Sequence, residues 1–87
     1  ILHALADYGF RNAPGRYHNG GLWPMVNGFA AAAFRRHGDV KRADAITDAI
    51  GAANIRDAFP EYLDANTGEG AGTRNMAWSA AAEYWAT

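Results

Sequence analysis

From Leu22 onward the apolar residues Leu22, Met25, Val26, Phe29, Ala30, Ala33 and Phe34 recur at spacings of three and four. That period puts them on one helix face and predicts a helix over 22 to 37, stopped by Gly38. Asp39 is a suitable N-cap for a second helix over 39 to 57. In it Val40, Ala43, Ile46, Thr47, Ile50 and Ala53 form a stripe, while Lys41, Arg42, Asp44 and Asp48 face water. A last helix starts near Asn75 or Met76. Its Ala77, Trp78, Ala80, Ala82, Tyr84 and Trp85 put apolar groups on nearly every face, which calls for protein on more sides than three short helices can cover. At the other end, ILHALADYG at 1 to 9 reads as the end of a further helix closed by Gly9.

Two long loops separate these helices. Residues 10 to 21 carry Pro14 and Gly15; residues 58 to 74 carry Pro60 and the glycines at 68, 70 and 72, with room for a short hairpin about the NTG turn. Ordered loops of this length are uncommon in compact helical proteins unless they serve a function.

Composition narrows the partners. The chain has 87 residues, 49% hydrophobic and 13% aromatic, with three Trp and no Cys. That is rich for a small domain and argues against disorder, while disulfides and thiolate metal sites are excluded. A formal charge of −1 gives no basis for a nucleic-acid partner, which needs many clustered cations. Arg35, Arg36, Lys41 and Arg42 read as a solvated helix junction. No apolar run reaches the roughly 18 residues of a membrane span. Ile1 lies inside a helical pattern without an initiator Met or a signal-peptide layout, so the chain reads as part of something longer; its location is left open, a cytoplasmic setting being favoured over secretion.

The candidate chemistry lies in the loops. GEGAGTR at 68 to 74 has neither the spacing of a phosphate-binding loop nor, with its preceding residues, that of a calcium loop. His3, His18 and His37 are too dispersed for zinc, so no metal site is expected. In YHNGGLWP at 17 to 24, phenol, imidazole, amide and indole groups surround two glycines, a set suited to a neutral polyhydroxylated ligand or, equally, to anchoring a loop by its aromatics. Glu61 follows Pro60 and sits among aromatic and apolar neighbours, where poor hydration makes a carboxylate a better proton acceptor. Glycoside hydrolysis needs a second carboxyl on the far side of the bond, roughly 6.5 to 9.5 Å away if water must fit between them. Asp64 and Glu69 share the loop of Glu61 and are poorly placed for that. On these residues alone Glu61 is either a base or a surface acid.

YHNGGLWP at 17 to 24, PEYLDANTG at 60 to 68 and the following AWSAAAEYW together resemble the C-terminal part of bacterial (α/α)6-barrel glycoside hydrolases. The likeness is to the amylo-α-1,6-glucosidase, processing α-glucosidase and alkaline/neutral invertase types of the six-hairpin superfamily. Leu63, where the invertases carry Tyr, and the short glycine-rich GEGAGTRN weaken the sucrose assignment.

The resemblance implies an all-α fold, the last helices of an (α/α)6 barrel with long active-site loops, spanning 1 to 87 as a partial domain whose N-terminal remainder is missing. It implies an inverting hydrolase of α-glycosidic, chiefly α-glucosidic, bonds in an oligosaccharide or disaccharide. Glu61 would be the general base, and the acid an Asp outside this chain. Tyr17, His18, Asn19, Gly20, Gly21 and Trp23 would line the sugar pocket with Tyr62 and Trp78, Asp64 would brace the loop, and no cofactor is needed. A non-catalytic carbohydrate-binding or structural helical module remains the alternative.

Overall fold

The computed structural model describes residues 13–87, so His3 and the helix expected over 1 to 9 lie outside the described residues. Among the described residues three helices carry the fold: α1 (Pro24–Arg36), α2 (Val40–Asp57) and α3 (Ala77–Ala86). Between α2 and α3 a two-stranded antiparallel hairpin pairs β1 (Tyr62–Leu63) with β2 (Gly70–Ala71), Tyr62 opposite Ala71. The NTG turn lies in its loop, as the sequence predicts.

Helix α1 starts two residues later than the apolar period suggests. Pro24 disfavours helical geometry at the residue before it and suits the first helical position. Trp23 is accordingly an extended N-cap (φ −99°, ψ 119°), and Leu22 pairs as a strand with Leu63.

The buried face of α1 also differs from the predicted stripe. Val26 and Phe29 are 54% and 55% exposed, whereas Pro24, Gly28 and Ala31 are buried. Side-chain size explains the difference. A Cβ on Gly28 would overlap the Trp85 indole nitrogen and lie 3.0 Å from the Ala82 Cβ, so the missing side chain lets α3 approach closely. Phe29 stacks on Trp85 from the side, with centroids 4.9 Å apart.

Helix α2 follows its pattern more closely. Arg42 N donates to the Asp39 carboxylate at 3.1 Å, and Ala43, Ile50 and Ala53 are buried while Lys41, Arg42, Asp44 and Asp48 are exposed or half-exposed. Arg35, however, is no solvated residue. Its Nε donates to the Ala86 carbonyl at 3.0 Å and its Nη1 pairs with Asp44 at 2.9 Å, tying the end of α3 to both other helices. Such a cation suits the unpaired carbonyls and negative dipole end of a helix.

The link from α2 to the hairpin is strained and firmly held. Ala58 and Phe59 both adopt left-handed conformations (φ 58° and 55°), uncommon for residues with side chains. Phe59 N bonds the Asn54 carbonyl at 3.0 Å; Asn75 N and Met76 N bond the carbonyls of Ala58 and Phe59 at 2.8 and 3.0 Å. Beneath this corner, fully buried Asn54 donates to the Ser79 carbonyl (2.8 Å) and to Glu83 (2.7 Å), and the Ser79 hydroxyl donates to the Pro60 carbonyl at 2.6 Å. The residue before Glu61 is thus fixed to α3. On α3 itself Trp78 and Tyr84 remain 43% and 86% exposed, in keeping with apolar groups distributed around the helix.

Candidate active site

The two sequence motifs, forty residues apart, are joined by backbone pairing. Leu22 N donates to the Leu63 carbonyl at 2.9 Å and Leu63 N to the Leu22 carbonyl at 2.7 Å, adding a strand residue to the hairpin edge. Ala65 N bonds the Gly15 carbonyl (2.8 Å), Asn66 donates to the Pro14 carbonyl (2.9 Å), and Arg16 pairs with Asp64 at 3.5 Å. Both long loops therefore open at one end of the helices.

That junction gathers four aromatic side chains. Trp23 stacks on His18 (5.4 Å, 10°) and on Tyr62 (5.6 Å, 23°), and Tyr17 meets Tyr62 edge-on at 5.6 Å. The Trp23 indole donates to the Tyr17 carbonyl at 3.0 Å, which fixes its ring plane. Gly21 permits this turn: a Cβ there would lie 2.6 Å from the Tyr17 carbonyl oxygen and 3.0 Å from the Tyr62 ring. Gly20, exposed and at φ 97°, supplies one left-handed step of this loop, beside Tyr17 at φ 40° and Gly15 at φ 84°. Asn19 is fully buried, and its backbone closes the loop with Arg16 O at 2.8 Å and Gly15 N at 2.9 Å. Trp78 joins none of these ring contacts among the described residues.

Glu61 immediately precedes the strand residue of this aromatic group. It is half-buried. Its backbone N donates to the Thr73 carbonyl at 2.8 Å, and its Oε1 accepts from Thr73 N at 3.2 Å. Asp64 serves the turn instead: its Oδ1 accepts from Asn66 N at 2.8 Å, and its carbonyl accepts from Gly68 N at 2.7 Å. At the other side of the hairpin the Arg56 guanidinium, hydrogen-bonded to Asp57 through Nε at 2.8 Å, holds that carboxyl below the ordinary aspartate range. The Gly70 amide at 3.0 Å adds to the effect and desolvation opposes it. The pairing with Asp57 correspondingly raises Arg56.

Three contributors lie inside the quoted stretches but are given no role by the residue pattern: the Thr73 amide, Gly72 beside it, and Ser79, which anchors Pro60. Backbone groups leave no mark in side-chain patterns, and a serine in an alanine-rich helix reads as a neutral position. A cavity of about 290 Å³ lies nearby, between the start of α1, α2 and Leu63, lined by Leu22, Pro24, Ile46, Ile50 and Ala53 among others. Asn27 and Arg42 also reach it; its wall is otherwise apolar and holds no carboxylate. Among the described residues no group of His, Asp and Glu could hold a metal ion, and no helix is long and apolar enough to cross a membrane.

The Mannosylglycerate hydrolase MGH1-like glycoside hydrolase domain matches residues 4–79, nearly the whole chain. The chain belongs to this glycoside hydrolase family. It is 40% identical over 73 residues to a mannosylglycerate hydrolase from one strain of Thermus thermophilus, and 34% identical over 73 residues to one of Rubrobacter radiotolerans. Those stretches are 83% and 84% of this chain but 18% and 16% of the relatives, so the chain spans under a fifth of their length.

Among solved structures, it superimposes on the GH63 mannosylglycerate hydrolase from a second strain of Thermus thermophilus, in complex with Tris. The TM-score is 0.73 at 33% identity, over 99% of this chain and 23% of that one. A conserved protein of that second strain gives a TM-score of 0.71 at 40% identity, over 83% of this chain and 18% of that one. The fold class expected from the sequence is therefore established: these are helices of an (α/α)6 barrel. Family membership bears out the resemblance to six-hairpin glycosidases, and the relatives named here are mannosylglycerate hydrolases.

Proposed function

We propose that the protein carrying these residues is an inverting glycoside hydrolase in which Glu61 is the general base. The observation that carries this reading is the position of the Glu61 carboxylate: half-buried, hydrogen-bonded to a backbone amide, and adjacent in sequence to the ring of Tyr62 in the Tyr17–His18–Trp23 cluster. Flat aromatic faces suit the apolar faces of a sugar ring, and a fixed carboxylate beside them can take a proton from an attacking water. The general acid, an Asp, and the remaining barrel helices lie outside residues 1 to 87 on this reading, which makes the chain a partial catalytic domain.

In this arrangement Trp23, Tyr62 and His18 form one wall of the sugar site, and Trp78 contributes to the wall once other barrel helices pack beside it. Tyr17, Gly20 and Gly21 shape the loop, and Asn19 holds it closed from within. Acid and base hydrolysis requires no cofactor.

The names of the relatives make mannosylglycerate the first substrate to test, ahead of the α-glucosides suggested by the wider resemblance. The complete protein should hydrolyse mannosylglycerate with inversion at the anomeric carbon, read by NMR of the first-formed sugar. Glu61→Gln should leave the fold intact and lower turnover at least a hundredfold to ten-thousandfold. Near-normal turnover in that variant would remove Glu61 from the role. Sugar binding by the unaltered protein without hydrolysis would favour a binding module, and turnover of α-glucosides alone would shift the substrate class.

A further inference from the structure

The turn that follows β2 is built around the Glu61 side chain. Gly72 has φ +72°, in the left-handed region that glycine tolerates best. A Cβ at that position would overlap the Glu61 Oε1 atom and lie 3.0 Å from Tyr62 Cε1 and 3.1 Å from Glu61 Cβ. The next residue, Thr73, gives its amide to Oε1 at 3.2 Å and takes the Glu61 amide on its own carbonyl at 2.8 Å. Backbone therefore lies directly against the carboxylate and holds it by both a hydrogen bond and contact. Gly68 supplies an internal comparison. Its φ is +75°, nearly the same, but a Cβ there would meet nothing within 4 Å.

We propose that Gly72 and the Thr73 amide form a positioning clamp for Glu61, with glycine required at 72 because the backbone must touch the carboxylate. Resting on the reading of Glu61 as the base, the proposal makes Gly72 a positioning residue that fixes where the carboxylate meets the attacking water. A reacting group displaced by about 1 Å can lose on the order of a hundredfold in rate while the substrate still binds. Backbone strain is common to both glycines, so the difference between their alanine variants reports the contacts at 72, with Glu61 and with Tyr62, and removal of the Glu61 carboxylate separates the two.

The experiment uses the complete protein with Gly72→Ala, Gly68→Ala and Glu61→Gln. Gly72→Ala should lower kcat by roughly tenfold to a hundredfold with KM within about threefold of the unaltered value. Gly68→Ala should leave both near normal. Equal effects of the two alanines on kcat would overturn the clamp. If Glu61→Gln keeps its turnover, the base assignment fails instead, and the two failures are distinguished.

A second readout is independent of activity. Gly72→Ala should lower the unfolding temperature more than Gly68→Ala when Glu61 is present, and most of the excess should be lost in a Glu61→Ala background, where the overlapping carboxylate is gone and only the looser contacts with Tyr62 Cε1 and the Cβ at 61 remain. If Gly72→Ala fails to fold, Glu61→Ala should restore folding. A cost at Gly72 that is the same with and without the carboxylate, or a failure to fold in both backgrounds, would reject the proposal.

Discussion

Leu22 and Leu63 exchange both of their backbone hydrogen bonds, at 2.9 and 2.7 Å, and through that pair the aromatic loop and the Glu61 hairpin become one surface. Trp23 follows Leu22 and Tyr62 precedes Leu63, so their rings stack at 5.6 Å as a consequence of the pairing. The site therefore depends on a few tertiary contacts, each open to a direct test in the complete protein.

Trp23→Phe should keep an aromatic face but lose the indole donor to the Tyr17 carbonyl. A net hydrogen bond contributes about 1 kcal/mol, and the loop would lose its fixed ring plane. The expected result is a several-fold rise in KM for the sugar substrate with a smaller change in kcat, measured by steady-state kinetics.

Ser79→Ala removes the hydroxyl that donates to the buried Pro60 carbonyl at 2.6 Å. An acceptor left unsatisfied out of water costs about 1 to 3 kcal/mol. Denaturant unfolding should show a loss of that size. Because Pro60 precedes Glu61, kcat should fall further than that of Trp23→Phe.

Gly28→Ala sets helix propensity against packing. In an open helix alanine would gain about 1 kcal/mol over glycine. Here the new methyl would press on Trp85 and Ala82, and overpacking of this kind costs about 1 to 3 kcal/mol. The variant should be less stable than the unaltered protein by thermal unfolding, and Trp85 fluorescence should report the displacement.

Asp57 gives a pH prediction with a definite sign. Its carboxyl is held below its ordinary value by Arg56, with help from the Gly70 amide. A depressed folded-state value stabilises the protein above the unfolded aspartate value, and that stabilisation is lost as pH falls through the lower folded value. Asp57→Asn should thus be less stable than the unaltered protein at neutral pH. The difference should shrink under acid, checked by unfolding midpoints across a pH series.

Local signals in the sequence were enough for a good part of the architecture. Asp39 carries its own capping oxygen, and the residues after it alternate at helical period, so α2 is legible without its neighbours. Asn66, Thr67 and Gly68 mark a turn because their side chains and backbone freedom favour one anywhere. The aromatic loop and Glu61 were also visible, as residue types unusual for a loop.

The tertiary structure alone decided which groups meet. Hydropathy ranks Val26 and Phe29 above Gly28 and Ala31, yet α1 buries the small pair because close helix approach against Ala82 and Trp85 depends on side-chain volume across the interface. Leu22 has the same helical spacing as its successors, and only Pro24 and the partner strand at Leu63 make it extended. The contact between Gly72 and Glu61 belongs to this second class. Its steric limit and the neighbouring hydrogen bond from Thr73 come from backbone that the hairpin brings near, and no local preference of either residue encodes that distance.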